Sequence, residues 1–319
     1  MSYIAYIRSL VGHDKIFLAF ASVVLRDQAG RILLQRRADF DVWGLPGGCL
    51  ELGEDILSCA RRELLEESGL TAGPLRLVGI YSEPAYDTVY PNGDQVQQYT
   101  VCFEGCLKDG KLTADGVETR ESRFFAPHEI ASAGMPIYYQ AMLEHALRGS
   151  PPAFSPPLAL PTTLDQIAYM RSRIGHVPYI GVGSVGIVTN EQGQLLVGCR
   201  TDSGEWSFPG GYSNLGENAA YTVVREIREE TGLDVEPTRL MGIFSPRAAW
   251  VYPNGDSTQS VVSIFRCQLV GGVERADQVE TSQLAWLSPQ EILALPEHPL
   301  LTSFNQRVIQ HLDDGWFVM

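Results

Sequence analysis

The 319-residue chain reads as two consecutive α/β domains of one layered architecture. Three observations predict this. A constellation of glycines and glutamates occurs twice, with every fixed position shifted by 163. In each copy, apolar strand-like runs flank a single helical pattern. Between the copies, Gly149 to Pro161 carries five prolines and little charge, the composition of a semi-extended connector. The expected organisation is a first domain over residues 1–150, a linker over 151–161 and a second domain over 162–319.

Each element has its own reason. A short helix leads into the chain, and Tyr6-Ile7-Arg8-Ser9-Leu10-Val11-Gly12-His13 recurs as Tyr169-Met170-Arg171-Ser172-Arg173-Ile174-Gly175-His176. His13 and His176 follow a glycine at a helix end, where a hydrogen-bonding residue is expected rather than a metal ligand. Strands are expected near 17–25 and 31–37. Lys15 followed by the apolar decade Ile16–Leu25 has the look of a secretory h-region. Tyr179–Val188 occupies the same repeat position deep in the chain, so a buried strand accounts for both. A helix is expected over 55–68, with Leu57, Ala60 and Leu64 as its apolar stripe and Ala220, Val223 and Ile227 as their equivalents. Gly69 and Gly232 follow as C-caps. Strands near 75–81, 95–107 and 122–126 and a helix near 137–148 complete the unit. Tyr90-Pro91-Asn92-Gly93-Asp94 recurs as Tyr252-Pro253-Asn254-Gly255-Asp256, where Asn-Gly marks a tight hairpin turn.

The repeated constellation carries the chemistry. The first copy has Gly48, Glu54, and Arg62-Glu63-Leu64-Leu65-Glu66-Glu67-Ser68-Gly69-Leu70; the second has Gly211, Glu217, and Arg225-Glu226-Ile227-Arg228-Glu229-Glu230-Thr231-Gly232-Leu233. At about 100° per residue, Glu63, Glu66 and Glu67 share one helix face. Crowded carboxylates repel, and hard divalent cations such as Mg²⁺ or Mn²⁺ compensate them. A solvated acidic face with an Arg62–Glu66 pair would suffice for an isolated helix. It does not explain the paired glycines, the spacing or the duplication.

This pattern resembles the Nudix hydrolase family. The resemblance implies two Nudix-type α/β/α sandwiches, each with a mixed sheet and the box helix, and a metal-dependent hydrolase that cleaves a pyrophosphate linkage in a nucleoside diphosphate derivative. By resemblance, Glu67 and Glu230 match the central metal ligand. Glu63, Glu66, Glu226 and Glu229 match the accompanying ligands and base-orienting carboxylates, and Arg62 and Arg225 the arginine that positions them. Gly47 and Gly210, each the first of a glycine pair, match the residue whose carbonyl joins the metal. Members commonly add a late carboxylate as ligand or general base. Glu118 and Glu280 are equivalent candidates; Glu121 is a third, but it becomes Gln283 in the second copy. Were Glu121 the base, the second site would be crippled. Arg37 and Arg200 are candidates to reach a substrate phosphate or to form a surface ion pair. Trp43 and Trp206 are candidates to stack on a nucleobase or to seal the loop against the core.

Substrate identity stays open at this level. Pro84 and Tyr86 follow the first box, and Pro246, Trp250 and Tyr252 the second, which are conflicting subfamily signals. ADP-ribose, dinucleoside polyphosphates, modified nucleoside triphosphates and nucleotide sugars all fit. Two alternatives to full catalysis are a nucleotide-binding sensor or scaffold without turnover, and one catalytic copy beside one structural copy.

The net charge of −14 is shared, with 14 basic against 20 acidic residues over 1–150 and 10 against 18 over the remainder. With no Lys/Arg-rich run, long nucleic acid is not expected as a partner, whereas small anionic nucleotides are compatible once metal ions invert the local charge. The six cysteines lack metal-finger spacing and do not recur between copies, so they read as free thiols in a reducing compartment. No stretch is long and apolar enough to span a bilayer. A cytoplasmic location is expected, with either intramolecular pairing of the domains or a homodimer.

Overall fold

The structure is a computed structural model that describes residues 2–114, 116–149, 151–295, 299–313 and 315–319. Residue 150, the expected end of the first domain, lies outside the described residues. The chain divides into two units, Met1–Ala153 with Pro246–Ala248, and Phe154–Ser245 with Ala249–Met319.

In the first unit the elements run α1 (Tyr3–Val11), β1 (Ile16–Arg26), β2 (Ile32–Arg37), β3 (Trp43–Gly44), β4 (Gly47–Cys49), α2 (Ile56–Ser68), β5 (Leu70–Ala72), β6 (Arg76–Tyr81), β7 (Thr88–Val89), β8 (Gln95–Gly110), β9 (Thr119–Phe125), α3 (Pro127–Ile130) and α4 (Ile137–Arg148). The apolar decade is the interior strand β1, buried at every position from Ile16 to Leu25 except Phe20. Burial on both faces is what a continuous apolar run supplies. β1 pairs parallel with β8 from Ile16↔Val96 to Arg26↔Cys106, and antiparallel with β2 and β4. The sheet is therefore mixed. On one face, α4 supplies Tyr139, Met142, Leu143 and Ala146 to a core with Val24, Ile32, Leu34 and Phe125. The box helix α2 packs on the other, against β1 and β4.

Helix α2 is capped as the residues require. Asp55 accepts from the Ser58 amide at 2.8 Å, and Gly69 closes the helix in the left-handed conformation. Its buried positions are Ile56, Cys59, Ala60, Leu64, Glu67 and Ser68. Ala60 and Leu64 are buried as the stripe requires, and so are Ala220, Val223 and Ile227, while Ile56 is buried in place of Leu57. The strand expected from 122 begins instead at Thr119, because a register shift between Arg36 and Arg37 extends the pairing with β2.

The second unit repeats this plan as β10 (Ala159–Leu164), α5 (Gln166–Ile174), β11 (Tyr179–Val188), β12 (Leu195–Arg200), β13 (Trp206–Ser207), β14 (Gly210–Tyr212), β15 (Leu215–Glu217), α6 (Ala219–Thr231), β16 (Leu233–Phe244), β17 (Trp250–Val251), β18 (Ser257–Gly272), β19 (Thr281–Leu287), α7 (Pro289–Leu293), α8 (Pro299–Gln310) and β20 (Phe317–Val318). β11 pairs parallel with β18 and antiparallel with β14, as β1 does with β8 and β4.

The repeated Tyr-Pro-Asn-Gly-Asp segment forms the hairpin turn its composition calls for. The Tyr90 amide donates to Asp94 O at 2.9 Å and the Gly93 amide to Tyr90 O at 2.8 Å. It also ties down the leading helix, since Asp94 faces His13 at 2.7 Å and Arg8 at 3.5 Å. In the second unit Asp256 meets His176 at 2.8 Å and Arg171 at 3.4 Å. The two histidines therefore serve as hydrogen-bonding residues.

Residues 151–161 are divided between the units. Ala153 joins the first, its amide donating to Val78 O at 2.7 Å and its carbonyl accepting from Ile80 at 3.0 Å. Phe154 stacks edge-on against Phe265 in the second unit, and Leu158 exchanges hydrogen bonds with Asn218, the N-cap of α6. β10 then pairs with β15. A fragment over 154–319 should consequently be more stable than one over 162–319, by about 1–3 kcal/mol for a lost strand pair and cap support. Denaturant melts of the two fragments check this, and equal midpoints would show that residues 154–161 contribute nothing.

Candidate functional site

The site is assembled where β4 lies beside β1, in the pairs Ala21↔Gly48 and Ser22↔Gly47. Gly47 has a φ of 153°, and a Cβ there would collide with the Ala21 carbonyl. A Cβ on Gly48 would stand 2.5 Å from the Glu63 carboxyl group. Only glycine lets strand and carboxylate approach this closely. The Gly47 amide then donates to Glu67 at 2.7 Å. The second copy repeats the arrangement. Gly210 has the same φ, a Cβ on Gly211 would lie 2.6 Å from Glu226, and the Gly210 amide donates to Glu230 at 3.2 Å.

One guanidinium organises each cluster. Arg62 donates through Nε and an Nη to both oxygens of Glu54 at 2.9 Å, to Glu63 at 2.6 Å, to Glu66 at 3.1 Å and to Cys49 O at 3.1 Å. Arg225 does the same with Glu217 at 2.7 and 3.1 Å, Glu229 at 2.9 Å and Tyr212 O at 3.0 Å, and it pairs with Glu226 at 2.8 Å. These forked charge-assisted bonds are the strong kind. Glu54 and Glu217 thus brace the loop against the helix.

One cation per cluster leaves negative charge uncompensated. Burial pushes the Glu63 carboxyl up to about 7, with Glu66 and Glu118 adding repulsion against the pull of Arg62. Burial pushes Glu67 up to about 8, despite the Gly47 amide and the Gln35 side chain that favour its ionised form. Glu226 is likewise pushed to about 7, and Glu230 rises well above the carboxylate range, each by burial first. Such sites call for a further cation. Among the described residues, no three acidic, histidine or cysteine side chains are already gathered in a metal-holding arrangement. Arg62 holds one oxygen each of Glu63 and Glu66, which leaves their other oxygens as potential ligands. The donor set itself, all oxygens on a helix face beside a glycine turn, fits Mg²⁺ or Mn²⁺.

A cavity of about 760 Å³ opens on the first cluster, lined among others by Arg37, Gly47, Glu63, Glu67, Tyr90 and Glu118. Glu118 therefore joins the carboxylates, and Glu280 adds repulsion to both Glu226 and Glu230 in the second copy. Glu121 does not join them. It stands opposite Arg36 on β2, the alternate position to Gln35, and so projects from the face turned away from Glu67. Its replacement by Gln283, opposite Cys199, leaves the second cluster intact.

Arg37 is held by both Asp39 oxygens, at 3.0 and 2.6 Å, and by the Tyr139 hydroxyl at 3.2 Å, which aims it along the cavity wall. Arg200 has the matching pair with Asp202 at 2.9 and 2.7 Å. Both thus form ion pairs, and Arg37 also faces the cavity. Trp43 goes elsewhere: its ring meets Phe125 edge-on at 4.8 Å and packs on the core. Trp206 packs on the second core in the same way. Both rings pack on the cores and so seal the loop. Tyr90, expected first of all as part of a hairpin turn, also lines this cavity, and the repetition of the turn is the signal it carries in the sequence.

The floor of the site differs between copies. Leu18 and Phe20 line the first cavity beside Cys49. The repeat places Gly181, Gly183 and Tyr212 at those positions. The Tyr212 ring lies over Gly181, where a Cβ would come within 2.6 Å, and its hydroxyl reaches Ser260 at 2.9 Å and Tyr252 at 3.2 Å. Bulk has moved from the central strand to the glycine loop.

With this geometry in hand, the class of protein is clear: two α/β units, each presenting a buried acidic helix to a glycine turn. A family profile for the NUDIX domain matches residues 17–145 and 180–312. The chain therefore belongs to the Nudix family, as a tandem duplication of its domain. A MutT-like protein of Streptomyces ambofaciens is 37% identical over 116 residues, which are 36% of this chain and 68% of that protein. An ADP-ribose pyrophosphatase of Methanocaldococcus jannaschii is 34% identical over 94 residues, 28% of this chain and 52% of that protein. Among solved structures, an ADP-ribose pyrophosphatase of Streptococcus suis is 22% identical and covers 43% of this chain with 96% of its own, at a TM-score of 0.34.

The raised carboxyl groups set a pH dependence. An acid whose folded value lies above its unfolded one stabilises the fold at low pH, and that contribution is lost as pH rises through the folded value. For Glu63 and Glu67 the window runs from about pH 4.3, the unfolded value, to about 8. Metal-free wild type should lose thermal stability relative to Glu67→Gln between pH 5 and pH 8.5. Mg²⁺ should raise the midpoint of the wild type more at pH 8.5 than at pH 5, because an ion must displace the protons. Parallel melting curves for the two proteins at all pH values would contradict this assignment.

Proposed function

We propose that this Nudix pyrophosphohydrolase uses a divalent cation at each carboxylate cluster to hydrolyse a pyrophosphate linkage in a nucleoside diphosphate joined to another moiety. The observation that carries the reading is the duplicated set of buried carboxylates beside a glycine turn, which opens in the first copy onto a cavity lined by Arg37, Tyr90 and Glu118. Glu63, Glu66 and Glu67, with Glu226, Glu229 and Glu230, would hold Mg²⁺ or Mn²⁺ together with the Gly47 and Gly210 carbonyls. A cation bound there would neutralise phosphate oxygens and lower the pKa of an attacking water.

The chain's own groups divide the remaining work. Arg62 and Arg225 keep the helix carboxylates in register with the loop. Arg37, its guanidinium already oriented by Asp39 and Tyr139, is placed to receive a phosphate oxygen. Glu118 and Glu280 are the groups assigned to take the water proton, since they face the clusters while Glu121 does not. The different floors, Leu18 and Phe20 against Tyr212, support different substrate preferences in the two copies.

Three measurements test this. Chelator should abolish turnover across a panel of ADP-ribose, dinucleoside polyphosphates, modified nucleoside triphosphates and nucleotide sugars, without unfolding the protein. Undiminished turnover after exhaustive metal removal would refute the mechanism. Glu67→Gln and Glu230→Gln should each remove one site's activity by orders of magnitude, on different panel members, and the double variant should be inactive. An active double variant would reject both catalytic assignments. In the Glu230→Gln background, Glu118→Gln should lower kcat by about 10²–10⁴-fold, whereas Glu121→Gln should stay near the parent. The reverse ranking would restore Glu121.

A further inference from the structure

Behind Glu67 the first copy carries a polar pair that the second lacks. Gln35 on β2 stands directly opposite Ser122 on β9, so both side chains leave the sheet on one face. Gln35 is 2% exposed, and its side chain stands near enough to the Glu67 carboxylate to favour the ionised form. The Gln35 Oε1 and the Ser122 Oγ are both buried without a hydrogen-bond partner among the described residues. In the second copy the paired positions are Gly198 and Leu284. A Cβ on Gly198 would stand 2.9 Å from Thr281 Cγ2, so no amide fits there. Glu230 keeps its bond from the Gly210 amide at 3.2 Å, against 2.7 Å for the equivalent bond to Glu67.

A buried amide with an unsatisfied oxygen is unfavourable unless its other end does something useful. Here the amide stands beside the carboxylate at the centre of the cluster. Hydrogen bonds from outside the ligand set hold metal-binding carboxylates in ligating orientation, and losing one typically costs about 10–100-fold in metal affinity. We propose that Gln35 is a positioning residue for Glu67 that makes the first copy the tighter divalent-cation site, and that the Gly198–Leu284 pair leaves the second copy the weaker one. The proposal rests on the reading that Glu67 and Glu230 are metal ligands.

Mn²⁺ binding to the full chain, followed by the electron paramagnetic resonance signal of the free ion, tests it without reference to turnover. Glu230→Gln isolates the first site and Glu67→Gln the second. The first variant should bind Mn²⁺ about 10–100-fold more tightly than the second. Adding Gln35→Met or Gln35→Leu to Glu230→Gln should remove that advantage, with the metal-free melting temperature little changed. Equal affinities in the two single variants would overturn the proposal, and that comparison needs no substitution at Gln35. So would a Gln35 variant that melts earlier yet binds Mn²⁺ as its parent does, since Gln35 would then only pack. Wild-type stoichiometry and affinity in both Glu→Gln variants would show instead that Glu67 and Glu230 are not ligands, so that the underlying reading fails with it.

Discussion

The structure depends on burying an acidic helix face against a strand with only one cation to hold it. Carboxylates taken out of water are costly unless paired and hydrogen-bonded. Arg62 and Arg225 meet that demand by binding the helix glutamates, a loop glutamate and a loop carbonyl at once. Because the guanidinium is a rigid fork, its partners fix the spacing of the whole constellation. Gly48 and Gly211 follow from the same constraint, since any side chain there would occupy the space of the carboxyl group. Moving either glycine or either arginine by one residue would leave buried charge without a partner.

What is left over after that pairing is the chemistry. Glu67 and Glu230 touch a backbone amide but no guanidinium, and burial holds both toward the neutral acid. The free-energy cost of ionising them in the metal-free fold is what a divalent ion would recover on binding. Stability and function are therefore in tension at these residues. The acid that relaxes the metal-free fold is the group that the proposed metal site would need ionised.

The duplication provides a comparison inside one chain. Residues that pair charges or close a turn are kept in both copies: Arg62 and Arg225, Glu54 and Glu217, the Asp94 and Asp256 turns with their histidines. Residues that change lie on the floor of the cavity and behind the central glutamate. Leu18, Phe20 and Cys49 become Gly181, Gly183 and Tyr212, with bulk lost from one strand and gained on its neighbour. Packing density accounts for the compensation, because a core strand cannot keep both a large residue and a ring laid across it.

Sequence alone determined the duplication, the box helix with its glycine C-cap, the buried strand of the apolar decade Ile16–Leu25 and the hairpin turn, and the family resemblance supplied the pairing role of the arginines. These are local matters of spacing, periodicity and turn chemistry, and each repeats in a second context that tests it. Only the tertiary structure decided which way side chains face across a sheet. Glu118, just before β9, lies beside the carboxylates, whereas Glu121 on that strand stands opposite Arg36 and turns to the far side. Trp43 and Trp206 pack on the cores, which their place in the glycine loop did not reveal. Gln35 carries no motif at all; only the folded chain brings it beside Glu67. Periodicity fixes the face of a helix by itself, but the face of a strand residue near a bulge depends on the partner strand, which lies far away in the sequence.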